Sequence, residues 1–141
     1  MDMGYLDQYS QGSQAFDKLV KAVAYTLLAA IIGYCLYWLF FRNWREERQV
    51  EQFMTALQEQ RFEEGYEYWG CSVAEPCRDY LFEEFLDDWG PASPIGPVKT
   101  FQLGRSYTQP GGAIIELSVN GVQQSNLWVD GVTEVISFFP Y

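Results

Sequence analysis

The chain of 141 residues contains no histidine. This absence excludes an imidazole general base, a Ser-His-Asp or Cys-His nucleophile, histidine-ligated haem or chlorophyll, and a mixed Cys/His zinc site. Most of the common catalytic arrangements are therefore ruled out. The sequence predicts no catalytic residue, no metal site and no cofactor.

Cysteine is also scarce, with three residues in the whole chain. Cys35 lies in an apolar run, whereas Cys71 and Cys77 stand close together on either side of the segment that contains Pro76. Neither spacing matches the C-x-x-C of redox and zinc motifs. Two interpretations of Cys71 and Cys77 stay open: a disulfide that closes a short loop, and a pair of ordinary buried thiols.

Basic residues become rare in the C-terminal part. Residues 1–49 hold five Lys/Arg and five Asp/Glu, whereas residues 50–141 hold four Lys/Arg and fourteen Asp/Glu, so the net charge of −10 resides there. Such a domain repels phosphate backbones and anionic headgroups, which disfavours nucleic-acid binding and polybasic lipid docking. Basic protein surfaces and cations remain compatible partners.

A long apolar run is present. Residues Ala22–Phe41 contain no charge, and at a helical rise of ~1.5 Å per residue they reach ~30 Å, the thickness of a hydrocarbon core. The run ends in aromatic residues and Arg42 rather than in a cleavage site, so we expect a retained anchor surrounded by membrane lipids. The predicted organisation is a polar tail that is loose until a helix begins near Phe16, a transmembrane helix and a soluble acidic domain, at 1–17, 18–42 and 43–141.

Two sets of side chains stand out within this anchor. Small residues recur at i, i+4, i+7 and i+11: Ala22, Thr26, Ala29 and Gly33. This pattern either lets another transmembrane helix approach closely or arises by chance on a face that contacts lipid. Aromatic residues near its ends predict interfacial belts, with packing against a cofactor of a pigment-bearing complex as the alternative: Tyr25, Tyr34, Tyr37, Trp38, Phe40 and Phe41.

The helix is expected to continue beyond the anchor. No glycine or proline occurs between Gly33 and Gly65, so anchor and first soluble helix are predicted to form one rod. Its second half places apolar residues at i, i+3, i+4 and i+7, a stripe that should bury against the domain: Val50, Phe53, Met54 and Leu57.

A second helix follows an aromatic, partly irregular stretch. Asp79 is predicted to cap its start, and Gly90 with Pro91 to stop it. One face is apolar, through Leu81, Phe82, Phe85, Leu86 and Trp89. The other face is acidic, and is either a solvated helix face or a docking surface for a basic partner: Glu83, Glu84, Asp87 and Asp88.

From Val98 onwards the apolar period changes to two. Turn signals at Gly111, Gly121 and Gly131 separate four predicted strands, the last at Val135 to Phe139. Sequential hairpins make an antiparallel meander. The predicted fold class is α+β, with one N-terminal transmembrane helix followed by two helices packed on a four-stranded meander.

This element order resembles the NTF2-like or cystatin-like roll. The resemblance rests on a helical F-x-x-A-L stripe, an aromatic stretch and a Trp-bearing strand after the second helix: Phe53, Ala56, Leu57, Tyr66 and Tyr68. Behind one anchor, the arrangement is similar to an uncharacterised family of small bacterial membrane proteins. It is distantly similar to anchored assembly factors of inner-membrane respiratory complexes. Enzymes with this roll place an Asp, often with a His, inside the cone, and no residue here matches that position.

We therefore expect an accessory, assembly or docking subunit of a larger membrane complex, of the respiratory or photosynthetic electron-transfer type. Its expected partners are other transmembrane subunits, with no nucleic acid and no small-molecule ligand. One alternative is an NTF2-like hydrolase or isomerase that uses a buried carboxylate of raised pKa. Another is a receptor for a small apolar ligand in the cone.

The side of the membrane is indicated by two conflicting signals. Lys18 and Lys21 precede the anchor and Arg42, Arg45 and Arg48 follow it, a count that favours a cytoplasmic domain. A disulfide would instead require an oxidising compartment. We expect the domain on the extracytoplasmic, periplasmic side.

Overall fold

The structure, a computed structural model, describes residues 4–139, with side chains from residue 12 onwards. The chain forms two compact units, residues 1–41 and residues 42–141. The first unit is one helix, α1 (Gly4–Phe41). The prediction that the chain is loose until a helix begins near Phe16 is wrong from Gly4 onwards, because α1 already begins there. This segment has no proline, and helix formation costs most of its residues less than ~0.7 kcal/mol each.

Among the described residues, one helical stretch is long and apolar enough to cross a membrane. It lies within Gly12–Gln58, and no residue of its apolar window is buried. The α1 side chains from Phe16 to Phe41 are exposed, including every large apolar one. By length and composition, α1 is a candidate membrane span.

The second unit begins with a turn at Arg42 and Asn43, followed by α2 (Trp44–Gln58). The helix that was predicted to run without a break is thus interrupted by two turn residues. Asparagine is a poor helix former because its side chain competes for hydrogen bonds, and Asn43 Oδ1 accepts one from Thr108 Oγ1 at 2.7 Å.

Two short helices follow α2: α3 (Phe62–Glu67) and α4 (Phe82–Trp89). The end of α4 is as predicted, since Gly90 N–H donates to Leu86 O at 2.8 Å and the helix stops there. The predicted cap at Asp79 is wrong. Residue Leu81 precedes the helix, and its N–H donates to Glu84 Oε2 at 2.9 Å.

Five antiparallel strands form one sheet, which confirms the α+β class. They are β1 (Phe101–Gln109), β2 (Gly112–Val119), β3 (Val122–Gln123), β4 (Leu127–Asp130) and β5 (Ile136–Phe138). The order across the sheet is β1-β2-β4-β5, and β3 pairs with β2. The predicted third strand is β4, and the short strand β3 precedes it. β3 pairs with β2 at Val119↔Val122, and β4 pairs with β2 at Ile115↔Leu127.

The core of the second unit lies between the helices and the sheet. The predicted α2 stripe is buried throughout, at Val50, Phe53, Met54 and Leu57. Around Phe53, the rings of four other aromatic residues have centroids 5.2 to 6.3 Å away: Tyr68, Trp69, Phe85 and Trp89. Side chains from β2, β4 and β5 complete the core, among them Leu117, Val129 and Ile136.

Candidate functional site

The four small residues of α1 lie on one side of the helix, because positions i, i+4, i+7 and i+11 recur on one face. Thr26 Oγ1 donates to Ala22 O at 2.8 Å, so the hydroxyl of this face is satisfied within its own helix. A Cβ placed at Gly33 would meet no atom within 4 Å. The face defined by Ala22, Thr26, Ala29 and Gly33 is therefore flat and open, and we call it the small face.

The aromatic residues of α1 are concentrated near its C-terminal end. Tyr34, Tyr37, Trp38 and Phe41 follow the spacing i, i+3, i+4 and i+7, so they share one side of the helix. The ring of Tyr37 stacks on that of Phe41, with centroids 5.1 Å apart. Tyr25 and Phe40 lie outside this stripe and are the two most exposed of the predicted interfacial residues, at 70 % and 77 %.

Cys71 and Cys77 are joined by a disulfide, with their Cα atoms 5.2 Å apart. The loop that they close is held by Tyr66, whose hydroxyl donates to Tyr80 O at 2.5 Å and accepts from Cys77 N–H at 3.2 Å. Cys77 and Tyr80 also form a β-bridge. The fully buried Tyr66 therefore anchors the disulfide loop to α3.

The interior of the second unit is filled with apolar and aromatic side chains. Among the described residues no Asp or Glu is buried, and Ser93 is the buried polar residue. The described chain also has no group of three or more Cys, Asp and Glu side chains arranged to hold a metal ion.

The acidic face of α4 is divided by its hydrogen bonds into two pairs of carboxylates. On one flank, Glu84 accepts from Leu81 N–H and Asp88 accepts from Tyr80 Oη at 2.8 Å. Burial, helped by this hydrogen bond to Asp88, raises the pKa of Tyr80 well above its ordinary value, so Tyr80 stays a neutral donor at physiological pH. These two carboxylates therefore stabilise the start and the flank of α4.

Glu83 and Asp87 lie on the other flank of α4. At about 100° per residue they stand next to Phe82 and Leu86, which separate them from the buried side of the helix. Like charges at i, i+4 cost ~0.2 to 0.5 kcal/mol per pair in an isolated helix. No described Lys or Arg forms an ion pair with Glu83 or Asp87.

An open groove of about 770 Å³ runs between α3 and α4. Its floor is apolar and its rim is polar: Phe62, Phe82 and Leu86 form the floor, and Gln60, Arg61, Glu63, Glu64 and Glu67 form the rim. All three floor residues are partly buried and pack against the core. We call this surface the α3–α4 groove.

The basic side chain on this rim, Arg61, already forms ion pairs within the chain. Arg61 forms ion pairs with Glu59 and Glu64, and its guanidinium donates hydrogen bonds to both carboxylates. These hydrogen bonds raise the pKa of Arg61, and the one to Glu64 contributes most. Glu63 and Glu67, at i and i+4 on α3, have no ion-pair partner among the described residues. The rim therefore carries uncompensated negative charge.

One of the two sides of this groove is predictable from the sequence. The α4 side of the groove follows from the sequence, which predicts Phe82 and Leu86 on the apolar face of that helix. The α3 side does not, because the sequence predicts a partly irregular stretch after Phe62. The spacing of Glu63 and Glu67 at i, i+4 was the available signal of a helical face. What the sequence alone does not show is that α3 and α4 lie side by side.

No family model, no curated protein and no solved structure matches the chain. The resemblance to an NTF2-like or cystatin-like roll accordingly stays a prediction. The α+β architecture and the candidate membrane span stand on the structure of this chain alone.

Proposed function

We propose that the chain is a single-pass membrane protein that acts as an accessory, assembly or docking subunit of a larger membrane complex, of the respiratory or photosynthetic electron-transfer type. The observation that carries this proposal is the small face on the exposed apolar helix α1. Membrane helices associate through close packing of small residues, since lipid provides no hydrophobic force between them. A helix that only anchors a domain does not need such a face.

The second unit supports a binding role for a different reason. Its interior is packed with aromatic rings, and its charge lies on the outside, where the rim of the α3–α4 groove and the neighbouring flank of α4 are acidic. A filled core with a charged exterior suits contact between proteins, whereas catalysis on a small substrate needs an enclosed site with convergent polar groups. The domain therefore serves as the docking part of the subunit.

We place the domain on the extracytoplasmic side of the membrane. The disulfide between Cys71 and Cys77 supports this placement, because disulfides persist in oxidising compartments. In a Cys35→Ser variant, a maleimide reagent added to freshly isolated, denatured cells should label the chain only after reduction. Labelling of both remaining thiols without a reductant would contradict an extracytoplasmic domain.

The proposed function is tested in native membranes. A C-terminally tagged chain is extracted in a mild detergent, and its size and companions are determined by native gel and mass spectrometry. Stoichiometric co-migration with one large complex is the expected result, and it identifies the partner. Recovery as a lone species of about 16 kDa would contradict the proposal and favour the receptor for an apolar ligand.

A further inference from the structure

We propose that the α3–α4 groove binds a basic amphipathic helix of a partner protein. The groove has room for side chains of another molecule, about 770 Å³, and its floor presents Phe62, Phe82 and Leu86. Apolar side chains at the bottom of an open groove favour a ligand with an apolar stripe. An amphipathic helix supplies such a stripe through anchors at i, i+3 or i+4, and i+7.

The negative charge around the groove favours a partner helix with basic side chains. Glu63 and Glu67 border the groove on α3, and Glu83 and Asp87 border Phe82 and Leu86 on α4. None of these four carboxylates forms an ion pair within the described chain. Lysine or arginine residues that flank an apolar stripe would lie opposite them, so the groove is complementary to a basic helix and repels an acidic one.

The same features disfavour other occupants. Nucleic acid and anionic lipid would bring phosphates towards these carboxylates. A metal ion has no cluster of ligands here among the described residues. Arg61, the cation on the rim, is paired with Glu59 and Glu64, which leaves an anionic ligand without a counterion.

This inference deepens the proposed function, on which it rests, by naming the class of partner and the surface that it meets. The test below uses a synthetic peptide and needs no partner from native membranes. Its failure would remove the groove as a docking site and leave the transmembrane association untouched. Failure of native co-migration would leave the peptide result intact.

The full chain is reconstituted in nanodiscs of zwitterionic phosphatidylcholine. Binding is followed by fluorescence anisotropy of a labelled peptide of leucine and lysine, about four helical turns long, with its leucines on one face. Empty nanodiscs give the background. A scrambled peptide of the same composition tests the apolar half of the proposal, and we expect it to bind at least about tenfold more weakly.

Three paired variants test the acidic half. Glu63→Gln with Glu67→Gln, and Glu83→Gln with Asp87→Asn, each remove two charges beside the groove, and each should raise Kd at least about tenfold. The matched control, Glu75→Gln with Asp79→Asn, removes one exposed charge from the disulfide loop and one from the turn that follows it, and should change Kd less than about twofold. An equal loss in all three pairs, equal binding of the scrambled peptide, or no binding by the native chain would overturn the proposal.

Discussion

At the scale of single residues, the hydroxyl of Tyr66 does more than its position in an aromatic stretch suggests. It is fully buried, and it holds Cys77 N–H and Tyr80 O at the same time. A buried polar group that loses its partner costs free energy, because no water replaces the bond. Tyr66 therefore stabilises the disulfide loop in addition to filling the core.

Tyr66→Phe removes both hydrogen bonds and keeps the ring. We expect it to lower the free energy of unfolding by about 1 to 3 kcal/mol, since Tyr80 O and Cys77 N–H lose a common partner. Thermal unfolding of the full chain in detergent, followed by near-UV circular dichroism, measures the change. Tyr107→Phe is the control, because its hydroxyl bonds Glu116 at the surface and should contribute within about 0.5 kcal/mol. Equal effects of both substitutions would contradict this account.

Asp130 shapes the turn between β4 and β5. Its Oδ1 accepts from Val132 N–H at 2.9 Å and from Thr133 N–H at 2.8 Å, and these backbone bonds, Thr133 first, lower the pKa of the carboxyl. A folded-state pKa below the unfolded value stabilises the fold above about pH 4, and this contribution is lost as the pH falls through the folded-state pKa.

Asp130→Asn keeps an oxygen acceptor and removes the charge. The native chain should have the higher Tm at pH 7, and the difference should shrink as the pH falls below about 4, where the carboxylate becomes protonated. Melting curves of both chains across this range measure it. A difference in Tm that does not change with pH would contradict the assignment of the charge to this turn.

At the residue scale, the sequence patterns predicted which side chains are buried more accurately than they predicted which hydrogen bonds form. The stripe Val50, Phe53, Met54 and Leu57 is buried as its period indicates. The cap of α4 was assigned to Asp79, which instead lies in the turn between Cys77 and Tyr80, and Glu84 takes its place. Apolar period is a property of the segment itself, whereas the choice of cap depends on where the disulfide loop fixes the chain.

At the scale of elements, α3 is the decisive addition to what the sequence predicted. Gly65 is buried on this helix, and a Cβ at that position would lie 3.1 Å from Leu57 Cδ2 and 3.3 Å from Phe85 Cζ. The absence of a side chain therefore lets α3 approach both α2 and α4. This close approach brings the two walls of the α3–α4 groove together.

Gly65→Ala should destabilise the second unit. Alanine favours helix by up to ~1 kcal/mol over glycine, but overpacking a tight core costs ~1 to 3 kcal/mol. Leu57 and Phe85, which the new Cβ would meet, are themselves fully buried. We expect a net loss on the order of 1 kcal/mol in the same near-UV melts. Gly12→Ala, where the new Cβ meets nothing within 4 Å, is the control. An unchanged or higher Tm for Gly65→Ala would contradict the packing argument.

In the sheet, the turns with glycine signals were predicted from the sequence, whereas one of the strand boundaries was not. The signals at Gly111 and Gly121 place the first two hairpins correctly, since both residues have positive φ and glycine adopts it without strain. The predicted third strand corresponds to β4, and the short strand β3 between the Gly121 turn and β4 was not predicted. Both β3 and β4 pair with β2, so where β3 ends and β4 begins depends on the register across the sheet.

At the scale of the whole molecule, the chain divides its properties between two units. Residues 1–41 contain an apolar helix with exposed side chains, and residues 42–141 contain the packed core, the disulfide and most of the negative charge. The candidate membrane span and the acidic character were both readable from composition. The α3–α4 groove was not, because it depends on the contact of two helices that are separated by the disulfide loop.

The central claim is that the small face of α1 joins the chain to a membrane complex. Gly33→Leu fills this face without a clash inside the chain, because a Cβ there has open space. Ala24→Leu is its matched control, since nine positions at about 100° each place Ala24 on the opposite side of the helix.

The most direct measurement is a native gel of mildly solubilised membranes that carry one variant or the other. Filling the small face should prevent close helix packing, so Gly33→Leu should migrate as the lone chain of about 16 kDa. Ala24→Leu should remain in the large complex. Equal migration of the two variants, in the complex or alone, would contradict the claim.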